Sequence, residues 1–470
     1  MSRIFENVNR RRGVVGAAAL VMACTVALAG AGCAGSSRAS SHGKTAAPDA
    51  NASDQWPITE CGTSSGRMCA ATNTRVDLDR PTFSDPTHID NPLFPVSSVE
   101  SAVQIGKVDG KPFRSETTTL AKTGVVDWYG TEIPVVLSQY VAYLDGQIEE
   151  VALDRYAQAD DGSVWYFGED VTDYRDGSAY LTEGTWLAGR DGPPAMVMPA
   201  RPRLGDVFRV ENVIGIVFEE LTVVEQGKTL PGPNGPLQGA IVVDELGVDG
   251  GHSRKILAPG YGEFMTGNDS ELEAMAVATP TDHLPGGVTV EIRKLLTASW
   301  GTMEYVRLDE WGLARASLRR IQSQLRALER TQQPPRVMTL VHGAVNRLEE
   351  AVRPRDARAA ERATVELAQA TIDLESRYLD ATDVEVARFH LHAQRLRVDA
   401  AAGDAARVRG GVVALEQIRE RISAALGEGE LADLDRGLDA LRLAADSGHL
   451  GAAADRAIRL ASSVRNDIAS

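Results

Sequence analysis

The chain has 470 residues, 43% of them hydrophobic, and its 49 Lys+Arg stand against 65 Asp+Glu for a net charge of −16. That composition supports packed cores for two or three domains and excludes wholesale disorder. The acidity excludes nucleic acid as a partner, because a phosphate-binding protein needs a basic stripe that displaces counterions.

Residues 1–32 read as a signal peptide. Arg3, Arg10, Arg11 and Arg12 precede an uncharged run from Gly13 to Gly32, and small residues close it. Leu28-Ala29-Gly30-Ala31-Gly32 before Cys33 resembles a bacterial lipobox, with Gly30 where an aliphatic residue is usual. The leading expectation is an exported chain held to the outer face of the cell membrane by a lipid on Cys33. Cleavage after Ala27-Leu28-Ala29 would instead give a secreted protein, and an uncleaved run of about 20 apolar residues would just span a bilayer.

Residues 33–55 are rich in Ser, Ala and Gly and read as a flexible tether with a reach on the order of 25–30 Å. Residues 56–91 form a lead-in that contains Cys61 and Cys69. In an oxidising compartment this close pair reads as a disulfide, since no further ligands at zinc spacing stand nearby.

Residues 92–280 read as an antiparallel β domain. Asp145-Gly146, Asp161-Gly162 and Asp176-Gly177 mark hairpin turns, and β-rich or alternating segments such as VALDRYAQA, SVWYFGEDVTDY and SAYLTEGTWLA lie between and after them. Later strands include GIVFEELTVVE, GAIVVDELG and ELEAMAVATP, for roughly nine or ten strands in all, as a curved sheet, barrel or sandwich. After a linker at 281–287, residues 288–470 carry apolar positions at three- and four-residue spacing in eight segments bounded by Pro, Gly and Asp signals. Short connections make this an all-α helical bundle, and the fold class α+β multidomain.

No catalytic constellation is present. There is no Gly-x-Ser-x-Gly elbow and no free cysteine paired with a histidine in the body of the chain. His390 and His392 stand two apart, which points them to different sides of a helix, so both read as structural. Asp170–Glu183 fails as a calcium loop because Thr172 and Tyr174 stand where carboxylates belong. No metal or other cofactor is expected.

The most suggestive feature is a crowd of aromatic residues between Trp128 and Trp186. On a strand, adjacent Trp165 and Tyr166 face opposite sides, so one should pack in the core while the other is exposed or covers a groove. These rings are either the core of a curved sheet or a groove formed by Trp165, Tyr166, Glu169, Trp186 and Asp191.

The same residues carry a resemblance. Asn91-Pro92-Leu93-Phe94-Pro95, Val164-Trp165-Tyr166-Phe167-Gly168-Glu169, Gly184-Thr185-Trp186, Met198-Pro199-Ala200 and Pro259-Gly260-Tyr261-Gly262 together resemble an uncharacterised family of bacterial secreted and lipoprotein β domains. The resemblance implies an exported β domain with an appended helical domain and brings no reaction with it.

The resulting expectation is a non-enzymatic, membrane-tethered lipoprotein of a bacterial cell envelope that binds an envelope protein or an apolar ligand. A lipid or other hydrophobic-ligand carrier is the first alternative, and an enzyme using carboxylates such as Asp170, Glu183 and Asp191 is the second. Residues 288–470 hold 27 Lys+Arg and 27 Asp+Glu, the leader holds four arginines and Glu6, and residues 33–287 therefore carry −19. This split suggests halves with different neighbours.

Overall fold

The computed structural model describes residues 56–268 and 271–469; the expected signal peptide, Cys33 and the expected tether lie outside the described residues. Fourteen antiparallel strands form one sheet: β1 (Ser101–Val108), β2 (Lys111–Trp128), β3 (Thr131–Leu144), β4 (Gln147–Gln158), β5 (Val164–Arg175), β6 (Ser178–Leu181), β7 (Trp186–Leu187), β8 (Ala195–Met198), β9 (Val207–Val213), β10 (Val217–Gly232), β11 (Gly235–Gly247), β12 (His252–Ala258), β13 (Gly262–Asn268) and β14 (Glu271–Thr279). Their order is β6-β5-β4-β3-β2-β1-β14-β13-β12-β11-β10-β9, with β7 and β8 also paired to β5. The sheet stays open but curls strongly. Gly192, just before β8, packs against Val213 of β9 at the far edge, and residues of β5, β8 and β9–β12 share one apolar core.

Asp145-Gly146 (φ 51° and 71°) and Asp176-Gly177 (φ 52° and 73°) adopt the paired positive φ angles of a tight hairpin, and Asp109-Gly110 repeats them between β1 and β2. The strand number exceeds the nine or ten expected. Long β1–β3 carry Thr, Ser, Gln and Gly that blur the alternation, and the SAYLTEGTWLA segment breaks into β6 and β7 on either side of Gly184.

Among the described residues, eight α-helices follow: α1 (Val290–Arg307), α2 (Trp311–Leu328), α3 (Pro335–Val352), α4 (Ala357–Glu375), α5 (Ala381–Ala401), α6 (Ala405–Ile422), α7 (Glu428–Asp446) and α8 (Leu450–Ala469). Local chemistry sets their starts. Asp356 accepts from the Ala359 amide and Asp404 from the Arg407 amide, each at 3.0 Å, and Pro335 occupies the first turn of α3. Among the described residues, no helix is long and apolar enough to cross a membrane.

The two halves are each other's neighbours. Val103, Ile105, Ala276 and Val277 of the sheet share an apolar cluster with α1–α4, and Val141, Tyr143 and Ile148 share another with Val413 and Ala414 of α6. Between these clusters lie three arginines and three carboxylates, all at least nine-tenths buried. Arg114 of β2 grips Asp373 of α4 with two bonds of 2.7 and 2.8 Å and reaches Glu116 at 2.9 Å. Arg421 of α6 meets Glu116 at 2.9 Å and Glu385 at 3.1 Å, and its Nε donates to Gln139 at 2.6 Å. Arg388 of α5 completes the set, 2.5 Å from Glu385 and 3.9 Å from both Glu116 and Asp373. Charge is exchanged in both directions across the layers: Arg114 of the sheet pairs with Asp373 of the helices, and Glu116 of the sheet pairs with Arg421 of the helices.

Both faces of β5 are covered, and Trp165 and Tyr166 are both buried, where one of them was expected to be exposed or to cover a groove. The lead-in lays Trp56 against Trp165 at 5.4 Å and Phe83 against Phe167 at 5.4 Å, while Tyr166 stacks on Tyr156 at 4.8 Å. The lead-in is itself fixed by the Cys61–Cys69 disulfide and by Arg75, paired with Asp77 at 2.7 Å.

Burial alone would raise the Glu116 pKa, but Arg388, Arg114 and Arg421 outweigh it and hold the carboxyl well below its usual value. Its contribution to stability is therefore full above the ordinary carboxylate pKa and is lost as pH falls through the depressed one. Removing one partner from a buried ion cluster leaves charge uncompensated, so Glu116→Ala should lower unfolding stability by about 3–5 kcal/mol at pH 7. Urea titration measures this, and a loss under about 1 kcal/mol would contradict the role given to Glu116.

Candidate functional site

Residues directly opposite on paired strands share a face. On β1–β4 the register groups Ala102 with Thr117, Thr117 with Tyr140, Thr119 with Ser138, and Ser138 with Asp154. These residues lie on the side away from the arginine cluster, and the curl of the sheet brings them toward β13 and β14. The result is a cavity of about 100 Å³. Tyr140, Asp154, Tyr156, Glu273 and Met275 are its buried lining, while partly exposed Val96, Val99, Thr119 and Tyr261 mark its opening.

One wall is the Asn91–Pro95 turn. The buried Asn91 side chain donates to the carbonyls of Gly162 at 3.0 Å and Pro199 at 3.1 Å and accepts from the Leu93 amide at 3.0 Å. That ties the turn to the β4–β5 connection and to the residue after β8, and sets Phe94 edge-on against Tyr156 at 5.0 Å. The Pro259–Gly262 turn docks beside it through the Gly260 amide and the Pro92 carbonyl, 2.8 Å apart. Tyr261 then reaches Asp282 at 2.7 Å, a carboxylate that also accepts from the Ala278 amide at 2.8 Å.

The lining is acidic and phenolic. It contains Asp154, Glu263 and Glu273 with Tyr140, Tyr156 and Tyr261, and no Lys, Arg or His. Glu273 accepts from Ser115 at 2.5 Å and Asp154 accepts from the Tyr166 hydroxyl at 2.7 Å. Burial first, then the charges of Asp154 and Glu169, push the Tyr156 and Tyr166 phenols well above their usual pKa, so both stay protonated. Buried Lys255 stands beside Glu263 at 3.8 Å but closer to Glu245, at 2.5 Å, and Glu219, at 3.4 Å. Burial would lower its pKa, yet the surrounding carboxylates outweigh that and keep it cationic.

The residues proposed from the sequence occupy other places. Trp165, Tyr166, Glu169 and Trp186 are buried, and none of them, nor Asp191, lines the cavity. Trp165 Nε1 donates to Ser163 at 2.8 Å, and Trp186 meets Tyr166 edge-on at 5.4 Å. Glu169 stands opposite Asp154 on the neighbouring strand. Asp191 accepts from the Leu187 amide at 2.8 Å and closes the turn after β7. Tyr166 touches the site through Asp154, and Glu169 stands beside the same carboxylate. Asp170 pairs with Arg155 at the surface, Glu183 is exposed between β6 and β7, and neither lines the cavity.

His392 stacks on Tyr143 with ring centres 5.6 Å apart, and burial lowers its pKa to about 3; burial also lowers His390, beside Trp300, to about 4. Among the described residues no group of three His, Cys, Asp or Glu side chains is placed to hold a metal ion. Asp154, Ser138, Glu263 and Glu273 were not singled out in the sequence. The available signal was a carboxylate within β-rich segments, in VALDRYAQA and ELEAMAVATP. Compared with known proteins, the chain matches no family model and no curated protein.

Losing the Asn91 side chain would leave three hydrogen bonds unmade at the cavity wall. Asn91→Ala should cost about 2–3 kcal/mol and speed hydrogen exchange at the Leu93 amide. Unchanged exchange at that amide would contradict the anchoring role.

Proposed function

We propose that this chain is a non-enzymatic binding protein of a bacterial cell envelope, exported and tethered to the outer face of the membrane by a lipid on Cys33. Its ligand site is the cavity beneath the Asn91–Pro95 turn. The observation that carries this reading is a cavity that sets buried Asp154, Glu273 and Ser138 among apolar Phe94, Val99 and Met275, walled by turns bonded to each other and to two separate parts of the sheet. Pockets for drug-sized ligands run to roughly 300–1,000 Å³, so a space of about 100 Å³ favours a small ligand over the acyl chains a lipid carrier would hold. The leader and lipobox-like segment before Cys33 support the tether.

Two measurements test the two parts. Metabolic labelling with a fatty-acid probe should mark the wild type and leave Cys33→Ala unmarked; equal labelling would overturn the lipid anchor. For the site, Ala102→Phe fills the cavity from β1. In a ligand-observed NMR screen, small molecules that bind the wild type should lose binding to this variant, and retained binding would place the ligand elsewhere.

A further inference from the structure

Resting on the cavity as the ligand site, we propose that it takes a small primary alkylammonium ion, with Asp154 as the counter-charge and Ser138 as the neutral acceptor. Asp154 is 3% exposed, hydrogen-bonded by the Tyr166 phenol, and forms no ion pair among the described residues. A buried carboxylate held only by neutral donors lacks the compensation that buried charge requires. Directly opposite it on β3, the Ser138 side chain is 2% exposed, lines the cavity and has no hydrogen-bond partner among the described residues. Buried hydroxyls are normally satisfied, so one left open on a cavity marks a place for an incoming polar group.

The two groups together define the ligand. An ammonium carries three donors, one charge and no acceptor, which suits a carboxylate beside a hydroxyl oxygen. The absence of Lys, Arg and His from the lining argues against an anion. Phe94, Val99 and Met275 supply apolar surface for a short alkyl chain.

Calorimetric titration of the purified chain with n-butylammonium, n-butanol and butyrate tests this. The ammonium should bind at least about tenfold more tightly than the alcohol, the factor expected for one charge-assisted hydrogen bond, and butyrate should not bind. Asp154→Asn should abolish the preference for the ammonium over the alcohol, and Ser138→Ala, a milder change, should weaken ammonium binding several-fold with thermal unfolding retained. Equal binding of butylammonium and butanol, lost in Ala102→Phe, would overturn the cation and leave the cavity as the site. Failure of all three probes to bind would overturn the cation, and if Ala102→Phe also leaves the NMR screen unchanged, the cavity falls with it.

Discussion

Three arginines and three carboxylates buried between sheet and helices are the constraint on which the rest of the molecule depends. Each charge taken from water carries a desolvation cost of several kcal/mol, recovered only while its partners keep good geometry. Arg114 with Asp373, Arg421 with Glu116 and Glu385, and Arg388 with Glu385 form a set that is neutral as a whole and unbalanced once any member leaves. The helices are therefore bound to the sheet by a contact that cannot slide by one position without exposing unpaired charge. The apolar clusters on either side of it add affinity but no such registration.

The same strands serve two faces. Arg114, Glu116 and Gln139 project toward the helices, while their chain neighbours Thr117, Ser138 and Tyr140 line the cavity. Alternation along a strand makes this unavoidable: fixing one face fixes the other. The helical half thus braces the cavity from behind, and the Asn91–Pro95 and Pro259–Gly262 turns shape it from the front.

The helical half was readable because its cues are local. Apolar spacing, Pro334-Pro335, Asp356 and Asp404 mark where helices begin, and tertiary packing did not move them. The sheet was harder to read. Asp-Gly turns announced the hairpins around β4 and β5, but β1–β3 carry polar residues on both faces because one meets buried arginines and the other a polar cavity. Neither reason is visible in a single strand. The site was hidden for the same cause. Asp154 stands between Leu153 and Arg155 as a solvated carboxylate would, and the curl of the sheet, the Asn91–Pro95 turn and Tyr166 of β5 bury it. The aromatic residues drew attention correctly to this region, yet Trp165 and Trp186 fill its core. Trp56 and Phe83, which cover the far face of β5, come from a lead-in whose docking the sequence pattern does not reveal.

A specific interlayer ion pair, and not general apolar contact, holds the helices in register behind the cavity. A double-mutant cycle between Arg114 and Asp373, using Arg114→Met and Asp373→Asn in urea unfolding, tests it most directly. A register-setting pair gives a coupling of about 2 kcal/mol or more, with each single variant nearly as damaging as the pair. A coupling under about 0.5 kcal/mol, within ordinary additivity, would contradict it.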